Sequence, residues 1–384
     1  AVECETMALI EAQFTVEIER AFQVGDTDGN VCQFHGEWCV RPPNDCTGPN
    51  VFVFTIGVVP MEYTTLGSTG IEVSRICLGG MSFGSGREWM VDEAESRELI
   101  ERAIELGVNF FDTANVYSAG EGEAILGDVL ADYDRNEQVV ATKVYFPGAS
   151  EHRNAGGLSR KTIEQELSDS LERLGMDTVD LYQIHRWDYH TPIETTLRAL
   201  DDAVTRGQVR HIGASSMWAH QFQEALHVSD REGLARFETM QNLYHLAYRE
   251  EEREMYPLCD RENVGTMPWS PLGAGYLTRP HEEFKSTARG VHETENADVP
   301  YAEGPGSPEI NERVQELAAD YGVTMAQIAL AWQFGNDNVT APIVGTSSIE
   351  HLEDAVAALD IDLSASDVAY LEEPYEPVAV YGHE

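Results

Sequence analysis

The sequence predicts an α/β protein built as a (β/α)8 TIM barrel, with an N-terminal β-hairpin and a long loop after the seventh strand. Three observations carry this. From Met61 onward, short apolar runs alternate with longer amphipathic runs, the pattern of a parallel sheet covered by helices. The alternation repeats eight times, the number that closes a barrel. The first strand runs into LGGMSFGSG, which does not fit the G-x-G-x-x-G and following helix of an open dinucleotide-binding sheet.

In order, EYTTLGSTGIEVS reads as a hairpin turning at Ser68, Thr69 and Gly70, and the first strand covers 75–78. A helix over 92–106 is opened by Asp92 and closed by Gly107. The second strand is 109–112, with a helix over 121–133. The third is 138–143, with a helix over 159–174 capped by Ser159 and ended by Gly175. The fourth is 179–185, and its helix, 192–206, starts on Pro192. The fifth is 209–215 with a helix over 218–230, and the sixth is 237–242 with a helix over 250–262. The seventh is 264–269 and the eighth 341–344. An irregular stretch, 271–306, and helices at 308–321 and 324–334 lie between those two; helices at 349–359 and 364–372 follow the eighth.

Residues 1–60 are unlike the rest, so the domain division is an atypical extension over 1–60 and the barrel over 61–384. The extension holds Cys4, Cys32, Cys39 and Cys46 with His35, but lacks the short C-x2–4-C pairs of common zinc sites, and no metal is expected. Met61 reads as the natural start. No apolar run reaches the ~18 residues of a membrane span, and AVECE is acidic where a secretory signal is basic, so a cytoplasmic location is expected.

The charge is extreme. Lys+Arg total 25 against 67 Asp+Glu, a net charge of −42, and the only lysines are Lys143, Lys161 and Lys285. Such a field disfavours nucleic acid and anionic membranes as partners. Acid excess with few lysines matches surfaces adapted to a salt-loaded cytoplasm.

In a barrel of this kind, chemistry sits where strands end and loops begin. Those positions carry Asp112 and Tyr117 after the second strand, Lys143 at the third and His185 at the fourth. Held by Asp112, Lys143 would stand beside Tyr117 and favour its phenolate, giving a proton donor for a developing alkoxide, while His185 orients a carbonyl oxygen. Each residue alone has a structural explanation; together they suit hydride addition to a carbonyl.

The motifs are dense: LGxTGxxVSxxxLGxMxFG at 66–84, NFFDTANVYSxGxxE at 109–123, ATKV at 141, LYQIHRWD ending at 188, and IGASSM at 212. YREEEREMxPLC at 248, PWSPL at 268 and PIxGTS at 342 complete them. On these motifs the stretch from Met61 on resembles the aldo-keto reductase family. It is most similar to a bacterial or archaeal branch near the potassium-channel β-subunit-like reductases, which includes sugar-phosphate and deoxyxylulose-phosphate-related oxidoreductases.

The resemblance implies a catalytic set of Asp112, Tyr117, Lys143 and His185. It implies that Ser215, Ser216 and Gln241 hold the nicotinamide carboxamide and that Trp269 stacks on its ring. Ser270, Leu272, Gly273 and Gly275 match the pyrophosphate loop; Gly345, Thr346, Ser347, His351 and Asp354 match the adenosine end. The implied cofactor is NADP(H), with NAD(H) possible, because GTSSIEHLEDA carries no Lys or Arg for a 2′-phosphate. The implied partner is a small carbonyl substrate, sugar-derived carbonyls included, in a pocket walled by Trp89, Tyr117, Tyr145 and Trp187. Arg87 or Arg186 could bind a phosphate or carboxylate, or be salt-bridged. The alternative function is a cofactor-binding regulatory or redox-sensing subunit with slow turnover.

Screening by molar salt confines charge repulsion to roughly 3 Å. Activity and fold are both expected to weaken when salt is removed, measured as initial rate and unfolding midpoint along a KCl series; full activity in dilute buffer contradicts the salt-adapted surface.

Overall fold

The computed structural model describes residues 31–34, 37–40, 53–54, 61–150, 152–296 and 302–383. The chain divides into two compact units, Ala1–Val58 and Val59–Glu384. In the first, Val31–Phe34, Glu37–Val40 and Val53–Phe54 form an antiparallel sheet in which Cys32 stands opposite Cys39. The side chains of the cysteine group, and the question of a start at Met61, lie outside the described residues.

The second unit opens with the expected hairpin, Tyr63–Thr65 against Glu72–Ser74. Eight parallel strands follow: β1 (Cys77–Gly79), β2 (Phe110–Asp112), β3 (Val139–Val144), β4 (Val179–Ile184), β5 (Val209–Ser215), β6 (Phe237–Gln241), β7 (Gly265–Thr266) and β8 (Ile343–Val344). They pair in chain order from β1 to β7, with β8 beside β1. The ring closes between β7 and β8 through Thr340 N to Thr266 O at 3.0 Å and Ile343 N to Pro268 O at 2.8 Å. β7 is shorter than its sequence suggests because Pro268 has no N–H to donate to a ladder.

The helices are α1 (Glu93–Glu105), α2 (Glu121–Leu130), α3 (Arg160–Leu174), α4 (Ile193–Thr205), α5 (Ala219–Glu232) and α6 (Met255–Glu262). Asp92 caps α1 with a reciprocal bond to Glu95, and Ser159 caps α3. The helix expected over 250–262 is broken: a 3-10 turn at Glu250–Glu252 precedes α6, which restarts at Met255 so that Pro257 falls within a first turn, where its missing N–H costs nothing. The described residues within 271–306 are more ordered than expected. They form 3-10 turns at Gly273–Thr278 and His281–Ser286 and the helix α7 (Ala288–Asn296). Then come α8 (Ser307–Tyr321), α9 (Met325–Phe334), α10 (Ile349–Ala357) and α11 (Ala365–Glu372).

Strand side chains alternate between barrel interior and helix layer. Cys77, Phe110, Val139, Ala141, Leu181, Met267, Ala341 and Ile343 pack in one buried cluster with Leu66 and Val73 from the hairpin, which thereby stops one mouth. Leu78, Phe111, Val140 and Tyr182 belong to the cluster shared with the helices. The same parity makes Asp112, Lys143, Gln183, Ser215 and Gln241 the last inward layer, at the strands' C-terminal ends. Gly213 leaves room there: a Cβ would meet Thr239 Oγ1 and come 3.0 Å from Gln183 Cγ.

Gly127 on α2 is packed against the backbone of Leu174, the last residue of α3, where a methyl group has no space. Gly127→Ala is expected to cost about 1–3 kcal/mol of stability by overpacking, measured by urea unfolding; an unchanged midpoint contradicts the close helix contact.

Candidate active site

Asp112 ends β2 and Lys143 lies one position before the end of β3, so the barrel register brings two buried charges together. Lys143 is 0% and Asp112 2% exposed. The ammonium donates to Asp112 Oδ1, to Thr113 O at 2.9 Å and to Tyr117 Oη at 3.2 Å, using all three of its donors. Asp112 Oδ2 accepts from Gln183 Nε2 at 2.9 Å and Gln241 Nε2 at 3.0 Å, and Gln241 also donates to Gln183 Oε1. Burial alone would lower the Lys143 ammonium, but Asp112 and then Tyr117 outweigh it and raise it, so it stays charged.

Tyr117 is presented by a tight turn after β2. Its N–H bonds Ala114 O at 3.1 Å, and Ser118 and Ala119 follow at φ 48° and 54°, left-handed values that reverse the chain into α2. Asn115 anchors this loop through Glu166 Oε2 at 2.7 Å and Phe146 O at 2.9 Å. The Lys143 ammonium lies 4.8 Å from the Tyr117 ring centroid. His185 meets Tyr117 edge-on at 6.0 Å and Phe146 at 5.1 Å between centroids. Burial, then Lys143 and Arg186, hold its imidazole well below 6.5, so it is neutral at neutral pH. Its Nδ1 is buried without a hydrogen-bond partner among the described residues.

A second network runs beside the first. Ser215 Oγ donates to Gln241 O at 2.7 Å. Ser216, at φ 48°, accepts from Trp269 Nε1 on its Oγ at 3.1 Å and gives its N–H to Asn242 Oδ1 at 3.2 Å. Asn242 in turn donates to the buried Glu251, whose other oxygen lies 3.3 Å from His383 Nε2. The segment carrying His383 is tied down by Val378 N to Glu250 Oε1 at 3.0 Å and Tyr381 N to Tyr248 Oη at 3.1 Å.

These groups open on a cleft of about 950 Å3. Of the residues expected there from the sequence, Asp112, Tyr117, His185, Trp89, Ser215, Gln241, Trp269, Ser270, Leu272 and Gly275 line it. So do Gly345, Thr346, Ser347, His351 and Asp354. Lys143 sits behind Asp112 and Tyr117; Ser216 and Gly273 are turn residues beneath the wall. Tyr145 and Trp187 are not in the lining: Tyr145 packs edge-on against Phe146 at 5.0 Å, and Trp187 leans on the hydrophobic core. Asp188, in the same HRWD stretch, is structural. Although burial opposes its charge, the N–H groups of Leu158 and His190 and the Thr191 hydroxyl hold its carboxyl below the usual range.

Sequence reasoning missed three contributors, Gln183, Arg279 and Arg289. Gln183 was legible from strand parity, since LYQIH places it on the face of Leu181. Arg186, weighed only as one of two possible anion ligands, Arg279 and Arg289 also line the cleft.

The ring of eight parallel strands with this buried set at their C-terminal ends defines a barrel oxidoreductase, and the chain belongs to the aldo/keto reductase family, whose model matches residues 75–376. Aldo-keto reductase AMT2 of Alternaria alternata is 38% identical over 361 residues, covering 87% of this chain and 97% of that protein. A putative aryl-alcohol dehydrogenase of Schizosaccharomyces pombe is 40% identical over 349 residues, covering 84% and 98%. The versiconal hemiacetal acetate reductase of Aspergillus parasiticus is 40% identical over 347 residues, covering 84% and 99%. The family generally uses NAD(P)H, and the cleft fits such a group: Trp269 offers a ring, Arg279 a cation with no carboxylate partner among the described residues, and Gly345 a backbone that nothing crowds within 4 Å of its Cβ direction.

His185 and His245 are both buried and neutral, His245 being held down to about 3 by burial. In the unfolded chain each takes a proton near pH 6.5, and in the folded chain only far lower. The unfolded state therefore binds more protons as pH falls below that value, and stability is lost by up to ~1.4 kcal/mol per pH unit per group. The urea midpoint at fixed salt is expected to fall from pH 7 to pH 5, with a flatter slope in His245→Asn; an equal slope contradicts the neutral buried imidazole.

Proposed function

We propose that this oxidoreductase reduces aldehydes and ketones to alcohols, with Tyr117 as general acid. The observation that carries this is the Lys143 ammonium, clamped by Asp112 and set 3.2 Å from the Tyr117 hydroxyl in the wall of the cleft that His185 also lines. When bound, the nicotinamide dinucleotide supplies the hydride. A carbonyl oxygen placed between Tyr117 and neutral His185 meets a proton donor and an imidazole that orients it. As charge grows on that oxygen, Tyr117 gives up its proton, and the adjacent ammonium stabilises the phenolate left behind. Gln183 and Gln241 keep Asp112 aligned on Lys143, so the ammonium does not turn away. Trp269, fixed through Ser216, forms the nicotinamide platform, with Ser215 and Gln241 beside it.

NADP(H) is the preferred cofactor in this proposal and NAD(H) the second. Arg279 and Arg289 supply positive charge to the cleft, whereas Glu350 and Asp354 line it near Ser347. The substrate is a small carbonyl compound. The names of the relatives favour aryl and polyketide-type carbonyls, while the sequence motifs favour sugar-derived ones. A salt-adapted surface, a cytoplasmic setting, no nucleic-acid or membrane partner, and a place in the bacterial or archaeal branch complete the proposal; they rest on the charge and the motifs. Among the described residues, no helix is long and apolar enough to cross a membrane.

A carbonyl panel with NADPH and NADH in molar KCl is the test. Reduction is expected with both cofactors and faster with NADPH. Tyr117→Phe is expected to lose about 10²–10⁴ in kcat while still binding cofactor, read from quenching of tryptophan fluorescence. Unchanged turnover in that variant contradicts the assignment of Tyr117.

A further inference from the structure

The residue after His185 carries a charge that no carboxylate among the described residues neutralises. Three arginines line the cleft: Arg186, Arg279 and Arg289. Arg289 has Glu293 at 3.4 Å and lies over the Trp89 ring at 4.5 Å. Arg279 touches Thr278 and stands near Gly275, in the loop matched to the cofactor phosphates. Arg186 belongs to neither group. Its Nη1 donates to His185 O at 2.7 Å and its guanidinium lies 5.5 Å from the Phe146 ring centroid. Among the described residues no carboxylate reaches it, and Nε and Nη2 have no acceptor.

This is unusual in a chain with 67 acidic residues and 25 basic ones. Arginines on the helix layer are paired, as Arg160 is with Asp202, Arg198 with Glu232 and Arg236 with Glu262. The Arg186 guanidinium is half-buried, and burial lowers its pKa although Tyr117 and Tyr145 pull the other way. A partly desolvated cation without a counter-ion is a standing cost. It is offset when an anion enters, and the planar fork suits a carboxylate or phosphate held by two parallel bonds. The position fits a substrate rather than a cofactor: Phe146, under the guanidinium, lies edge-on to His185, which lies edge-on to Tyr117.

We propose that Arg186 anchors an oxyanion substituent of the carbonyl substrate, so that the preferred substrates are small aldehydes or ketones bearing a carboxylate or phosphate. This rests on the reductase function proposed above and narrows it to an anionic substrate class. The protein's overall negative field does not prevent such a contact. Molar salt screens that field to roughly 3 Å, and only a guanidinium touching its anion survives the screening.

Two substrate pairs in molar KCl test it: 4-carboxybenzaldehyde against its methyl ester, and glyceraldehyde 3-phosphate against glyceraldehyde. The readout is the ratio of kcat/KM for the anionic member to that for the neutral one, with folding checked by circular dichroism. In Arg186→Gln this ratio is expected to fall at least about tenfold, mainly through KM, the contribution of one charge-assisted hydrogen bond, and Arg186→Lys is expected to recover part of it. The pair whose ratio falls identifies carboxylate or phosphate as the group bound. An unchanged ratio in both pairs, with neutral aldehydes still reduced, overturns the anchor alone. If the wild type reduces no carbonyl with either cofactor, the reductase proposal fails and the anchor with it. Should Arg186→Gln not fold, inhibition of the wild type against a neutral aldehyde decides. Benzoate or inorganic phosphate inhibiting at least about tenfold more strongly than benzamide supports the anchor; equal inhibition by all three overturns it.

Discussion

The buried pair of Asp112 and Lys143 is the constraint on which the rest of the site depends. Taking both charges out of water costs several kcal/mol each, and their attraction repays this only when every remaining donor and acceptor is satisfied. Here the satisfaction is complete on both sides. The ammonium spends its donors on Asp112, Thr113 O and Tyr117, and the second carboxylate oxygen takes Gln183 and Gln241. The pair thus draws four strands into one layer and fixes the phenol at its edge. Of the three donors, only the one on Tyr117 reaches a group that lines the cleft and can give up its proton.

Fold and chemistry are coupled through strand parity. The inward faces of β2, β3 and β4 are apolar near the hairpin and polar at the other end, where β6 adds Gln241, so one register both fills the core and assembles the charged layer. Shifting any of these strands by one residue would turn Asp112, Lys143, Gln183 or Gln241 toward the helices. Room is made by omission at Gly213, where any side chain would collide with Thr239 and crowd Gln183. The second network, from Trp269 through Ser216, Asn242 and Glu251 to His383, ties the wall of the cleft to a segment more than a hundred residues downstream of the ring position it supports.

The surface follows a different rule from the site. Carboxylates outnumber cations heavily, and most of the helix-layer arginines bridge two acidic side chains, as Arg97, Arg198 and Arg313 do. Exposed pairs of this kind contribute little individually; their role is to space the acids. Lysine is nearly absent from the chain yet occupies the one position where three donors on a compact ammonium are all used, which a planar guanidinium could not satisfy in the same space.

By itself the sequence determined the barrel, its eight strands in order, most helix caps and the choice of the four residues proposed as the catalytic set. These follow from periodicity, from glycine, proline and serine at helix ends, and from motifs in which neighbouring residues act together. Trp269 and the segments 270–275 and 345–354 were legible for the same reason. The tertiary structure alone decided what depends on residues distant along the chain. Gln183 and Gln241 meet over Asp112 only because the sheet curls, although they are 58 positions apart. Tyr145 and Trp187, aromatic and adjacent to site residues, leave the cleft because their side chains fall on the packed side of their loops. The order within 273–296 and the split before Met255 were set by packing and by Pro257, not by any strong local pattern. That no carboxylate among the described residues reaches Arg186 was likewise decided by the fold, because salt-bridge partners are chosen in three dimensions and leave no spacing in the sequence.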